Sequence, residues 1–178
     1  PRPLFPDEQI ILFDELPEHL KPVFEFGVNT GCRDQELCNL RWDWLKKIDD
    51  TLWYFELPKG STKNNQVRPV ILNSIAKSIV ESLVGNNPEY VFSYEGQKLG
   101  RLNKSAYRKA RVRAGKVIPD ILKTNVHSLR HSFGERLTES DVPWDWKQAL
   151  LGHNPKEVTW RYSHYYKGSS NLRKIFKF

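Results

Sequence analysis

The chain has 178 residues, with 28 Lys+Arg against 21 Asp+Glu, a net charge of +7 and a pI near 9.4. That length suits one domain with a sizeable core, and the basic balance favours a polyanionic partner, either nucleic acid or an anionic membrane surface. Two cysteines, Cys32 and Cys38, exclude a disulfide framework and a four-cysteine zinc site, and no apolar run approaches the roughly 18 residues of a membrane span, so a reducing, cytoplasmic setting is expected.

The chain opens on "PRPLFPDEQ" and contains no Met, which reads as a piece of a longer protein with an upstream module missing. Pro6-Asp7 starts a predicted helix over 7–15. A second, over 17–30, carries Leu20, Val23, Phe24 and Val28 at helical spacing and breaks at Thr30-Gly31. A third follows with Arg33, Glu36, Leu37 and Leu40 on one face. "LWYFEL" (52–57) and "VRPVIL" (67–72) read as two strands joined by the polar turn "PKGSTKNNQ". Asn73 caps a helix whose expected inward stripe is Ile75, Ile79 and Leu83, and "EYVF" is a short extended piece. Helices are predicted over 103–116, 127–139, 143–151 and 156–165, before the basic-aromatic tail "NLRKIFKF". The fold class is therefore mainly α with a small antiparallel β-sheet (α+β), in one domain over 1–178.

Four segments carry candidate chemistry. In "HSLRH", a turn of about 100° per residue puts His127, Arg130, His131 and Gly134 on one flank, with Leu129, Phe133 and Leu137 facing the core. The polar flank is thus expected off the buried stripe. Two histidines four apart suit zinc, but Ser128 stands where a zinc protease helix has Glu, and a guanidinium is a poor neighbour for a cation. An anion cradle fits these residues better, and no metal or cofactor is expected. "LLGHNPKEVTWRYSH" ends a helix at Gly152, presents His153, restarts at Asn154-Pro155 and places Tyr162 nine residues beyond His153. "TGCRDQEL" sets Arg33 and Glu36 one turn apart, a spacing that by itself is an ordinary ion pair. Lys63 sits on the hairpin turn, where a solvated lysine is the plain alternative. A fifth stretch, "RLNKSAYRKARVRAGK" (101–116), has seven Lys/Arg and no acid, with Lys104, Arg108 and Arg111 on one face.

Taken in order, "TGCRDQELCNLRW", "TKNNQVRPV", "HSLRH" and "LLGHNPKEVTWRYSH" resemble the catalytic domain of the tyrosine recombinase (phage integrase) family across most of the chain. The resemblance implies a compact, mostly helical domain with a small sheet beside the active site, and upstream DNA-binding domains absent here. It implies that Tyr162 is the nucleophile, that Arg33 and Arg130 hold the scissile phosphate, and that Lys63 is the general acid toward the leaving 5′ oxygen. His127 and His153 would bond the phosphate and manage the tyrosine proton, Glu36 would brace the pocket, and His131 would line its wall. Lys104, Arg108 and Arg111 would touch the DNA backbone. Implied partners are double-stranded DNA recombination sites, further copies of the chain (a tetramer on DNA) and accessory DNA-bending proteins, on the bacterial nucleoid and not at a membrane.

Two features depart from the family pattern. Pro69 directly follows Arg68 in the hairpin, which leaves Lys59 as a rival general acid, and Tyr165 and Tyr166 lie close to Tyr162. The alternatives are a type IB topoisomerase, with the same phosphotyrosine chemistry, and a DNA-binding module without catalysis. The tail beyond Tyr162 is expected to dock on a neighbouring protomer.

Overall fold

The computed structural model describes residues 1–102 and 104–152. The helix expected over 156–165, His153, Tyr162 and the C-terminal tail lie outside the described residues.

Helix α1 (Pro6–Glu15) starts at Phe5, whose N–H donates to Glu8 Oε2 at 2.9 Å, and Arg2 closes on the same carboxylate. The segment expected as one helix over 17–30 is a 3-10 turn (Glu18–Leu20) followed by α2 (Lys21–Thr30). Pro22 lies at the start of α2, where its missing N–H costs no bond. α2 is the hub of the domain and is buried nearly all round, with Val23, Phe24, Phe26 and Val28 in the core. Phe24 stacks on Tyr107 with ring centroids 4.7 Å apart, and Phe26 meets Phe92 edge-on at 5.3 Å. Gly27 lets α2 approach its neighbours, since a Cβ there would stand 3.2 Å from both Leu129 and Leu37.

Helix α3 (Asp34–Cys38) and a 3-10 turn (Trp42–Trp44) lead to strand β1 (Leu45–Lys47). With β2 (Trp53–Leu57) and β3 (Arg68–Ile71) it forms an antiparallel sheet in the order β1-β2-β3. The two hairpin strands match expectation; β1 has no signal in the sequence, because "LKK" is short and charged and shows no alternation. Pro69 opposes Glu56 on the edge strand β3, where a residue without a donor is tolerated. Lys47 Nζ and Lys77 Nζ lie 3.8 and 4.8 Å from the centre of the Trp53 ring.

Asn73 caps α4 (Ser74–Ser82) by accepting the Ala76 N–H at 2.9 Å. Its buried residues are Ala76, Ile79 and Val80, whereas Ile75 is exposed, so the inward stripe is turned from the one expected. The reason is that α4 meets α2 close in, and a small Ala suits that contact better than Ile. A two-stranded hairpin, β4 (Ser93–Tyr94) and β5 (Gln97–Lys98), follows Val91 and Phe92, which are buried. Then come α5 (Ser105–Ala114), a 3-10 turn (Pro119–Lys123), α6 (His127–Glu139) and α7 (Trp144–Leu150). α6 packs on α2, α5 on α1, and α7 against β3. Leu52, Leu137, Val142 and Leu150 form a second, smaller apolar cluster under α7. Among the described residues, no helix is long and apolar enough to cross a membrane.

Candidate active site

Three turns meet beside the hairpin. The first leaves α2 through Gly31, whose φ of +63° requires glycine, and a Cβ there would lie 2.4 Å from the Phe133 ring. That turn presents Arg33. Its N–H donates to Glu36 Oε2 at 2.8 Å and its Nη1 to Glu36 Oε1 at 2.9 Å, so the first turn of α3 fixes the arginine by backbone and side chain together. An i,i+3 pair is ordinarily a mobile surface contact; here the Glu36 side chain is 2 % exposed and Arg33 18 %.

The second turn is the β2–β3 loop. Thr62 closes it, its hydroxyl donating to the Gln66 carbonyl at 2.7 Å and accepting the Gln66 N–H at 3.1 Å. Lys59 and Lys63 are both exposed on this loop. The third is the start of α6, where Asn125 Oδ1 accepts the His127 N–H at 2.8 Å and holds the first turn. Arg33, Glu36, Lys59, Lys63, Tyr90 and His127 share the wall of one open groove of about 860 Å³. The groove thus gathers residues that stand as far apart in the chain as Arg33 and His127.

Arg130 differs from the expectation that the polar flank of α6 lies off the buried side. It is 4 % exposed, behind the groove, and donates through Nη1 to the Gly31 carbonyl at 2.7 Å and through Nη2 to the Leu151 carbonyl. The helical wheel places Arg130 correctly beside His127 and His131 but cannot show that the α2–α3 turn and the end of α7 close over it. His127 and His131 remain exposed and meet edge to face at 4.9 Å; His131 lies one turn beyond the groove.

The residue that sequence reasoning passed over is Arg68. The sequence places it in the hairpin strand, directly before Pro69, and gives it no role in the site, yet it is 4 % exposed, pairs through Nη1 with Glu36 Oε2, and donates through Nη2 to the Leu150 carbonyl at 2.7 Å. The signals in the sequence are a guanidinium among apolar strand neighbours and its place in the hairpin beside Pro69.

The charges shift one another. Burial would raise the Glu36 carboxyl, but Arg68 and then Arg33 overcome it and hold the group below the usual carboxylate range. Burial, with Arg68 and Arg33 nearby, pushes Arg130 down to about 9. His127 is lowered first by partial desolvation at the groove wall, then by His131, Arg130 and Arg33, which favours a neutral imidazole able to accept a proton. Cys32, buried under the same turn, is pushed up to about 11 by desolvation and is an inert thiol. Among the described residues, no three His, Cys, Asp or Glu side chains converge as metal ligands.

The basic helix α5 is built otherwise. Tyr107, Ala110 and Ala114 are buried, and Lys104 and Arg108 are exposed as expected. Arg111, placed on the same face, is half-buried and its Nη1 donates to the Thr124 carbonyl, while Arg113 is held by Glu15 at 2.5 Å.

Residues 7–168 match the model of the phage integrase family. The integrase of Salmonella phage P22 is 31% identical over 174 residues, spanning 90% of this chain and 43% of that protein. Transposase B from transposon PsiTn554 of Staphylococcus aureus is 28% identical over 180 residues, 92% of this chain and 28% of the relative. The chain therefore spans less than half the length of these two proteins. Among solved structures, a Tn1549 transposon integrase in complex with a circular intermediate DNA superposes with a TM-score of 0.70 at 17% identity, over 90% of this chain and 60% of that one. A lambda integrase tetramer bound to a Holliday junction gives 0.58 at 18% identity, over 87% and 47%. These two likenesses establish the fold.

Proposed function

The chain belongs to the phage integrase family, and on that premise we propose that it is the catalytic domain of a site-specific DNA recombinase acting through a 3′-phosphotyrosine intermediate. The observation that carries this reading is the groove itself, where Arg33, Glu36, Lys63 and His127 converge from separate segments with Arg130 directly behind. A phosphodiester repels nucleophiles, and negative charge grows on its non-bridging oxygens in the transition state. Fixed guanidinium forks neutralise that charge without a metal ion.

In this reading the Tyr162 oxygen attacks phosphorus, the bond from phosphorus to the 5′ oxygen breaks, and Lys63 gives that oxygen its proton. Lys59, on the same wall, is the rival donor. Ionising tyrosine at neutral pH costs about 4 kcal/mol, and a neutral His127 takes up the proton. The phosphotyrosine conserves the energy of the broken bond, so a 5′ hydroxyl reverses the step without ATP. DNA recombination sites and a tetramer on DNA are the proposed partners, in keeping with the junction-bound lambda integrase tetramer. The proposed location is the cytoplasm, on the nucleoid.

A nicked suicide DNA substrate tests the reading. The expected product is a covalent protein–DNA adduct with the native chain and none with Tyr162→Phe. No adduct with the native chain leaves only a DNA-binding module, and an adduct that relaxes DNA without exchanging strands between two sites marks a topoisomerase.

A further inference from the structure

Arg68 opens β3 opposite Leu57 and is buried. One Nη group goes to Glu36, whose other oxygen holds Arg33 Nη1 at 2.9 Å. The other Nη group holds the Leu150 carbonyl at 2.7 Å. Gly152 closes over the side chain, since a Cβ there would stand 2.6 Å from Arg68 Cδ and 2.8 Å from Nε. Three consecutive carbonyls at the end of α7 are thus each held by a different guanidinium: Leu150 by Arg68, Leu151 by Arg130, and Gly152 by Arg33 at 3.5 Å.

The arrangement has a physical consequence. A lone buried carboxylate tends to take up a proton and release its partner, whereas two cations on separate oxygens keep it charged and fixed in plane. A long arginine side chain facing an open groove would otherwise sample many rotamers, each a poor fork for a phosphate. Fold stability alone does not call for this bracket, because an apolar side chain could fill the space beside β3.

We propose that Arg68 is a positioning residue for strand cleavage: it holds the Glu36 carboxylate so that Arg33 presents a fixed fork to the scissile phosphate, and it ties the end of α7, which leads into His153, to that same carboxylate. The proposal rests on the recombinase reading above. Arg68 is buried and does not line the groove, so in this proposal it acts through Glu36 and Arg33.

Single-turnover cleavage of suicide DNA tests it, with native chain, Arg68→Lys, Arg68→Gln and Gly152→Ala compared. Circular dichroism melts identify folded variants, and Arg68→Lys keeps the buried charge should Arg68→Gln not fold. The expected result for Arg68→Lys is cleavage slowed about 10- to 100-fold with DNA affinity unchanged within about threefold. Repeating the assay with a neutral methylphosphonate at the scissile position removes the charge that Arg33 must neutralise. The deficit then shrinks, as it does for Arg33→Lys. A deficit equal on both substrates, or cleavage by Arg68→Lys as fast as the native rate, overturns the positioning role. Absence of adduct from the native chain itself overturns the recombinase reading and this proposal together.

Discussion

The groove and helix α5 are both basic, yet they hold their charge in opposite ways. At the groove wall and behind it, Arg33, Arg68 and Arg130 are half-buried or buried, and each is fixed by a carboxylate or by backbone carbonyls. On α5, Lys104 and Arg108 extend into water from a helix whose other side packs through Tyr107, Ala110 and Ala114. Fixed cations resist reorganisation and so can favour a transition state over a ground state. Solvated cations adapt to any phosphate and add affinity that salt screens. Arg111, which the helical wheel places with Arg108, belongs structurally with the fixed group because Thr124 holds it.

The largest expected effect comes from breaking the bracket. Glu36→Ala leaves Arg68 buried without its anion, at a cost of about 3–5 kcal/mol, read as a lower urea midpoint at unchanged slope. A midpoint equal to the native one would show that the groove is no more ordered than α5. Next is Arg33→Ala, which removes a fixed fork but leaves Glu36 paired with Arg68. Cleavage should slow by about 100- to 1000-fold while DNA affinity changes little, as measured by single-turnover kinetics beside a binding titration.

On the other side of the comparison, Arg108→Gln should weaken DNA binding without slowing the bound complex. The slope of log affinity against log salt should flatten by about one. Arg111→Gln should instead lower the melting temperature more than the affinity; equal salt effects for both would place Arg111 with the solvated group. The smallest effect concerns pH. Because His127 lies below 6.5 in the fold, its neutral form persists to lower pH than for a free imidazole. The acid limb of kcat/KM should therefore fall below 6.5, and His131→Gln should move it upward. The same sign holds for stability: the contribution is full above the unfolded value and fades as pH falls through the folded one.

Particular residues show how much was readable in advance. The 3.6-residue period located α6 to its ends, and apolar runs located both strands of the hairpin. β1 was invisible because three residues ending in two lysines carry no alternation, and only Phe55, Tyr54 and Trp53 across the sheet define it. In α4, Ile75 and Ile79 looked alike, and which of them faced inward depended on where α2 lay.

The sequence by itself determined the helical class, the hairpin, the basic surface of α5 and the order of four motifs that resemble the integrase family. It did so because these follow from local spacing and residue type. Only the tertiary structure decided that Arg130 is buried, that Arg68 and Arg33 share one carboxylate, and that three arginines hold the carbonyls of residues 150–152. Each of those facts depends on segments brought together across the chain, and the burial of a charge is set by its partners, which no local spacing contains.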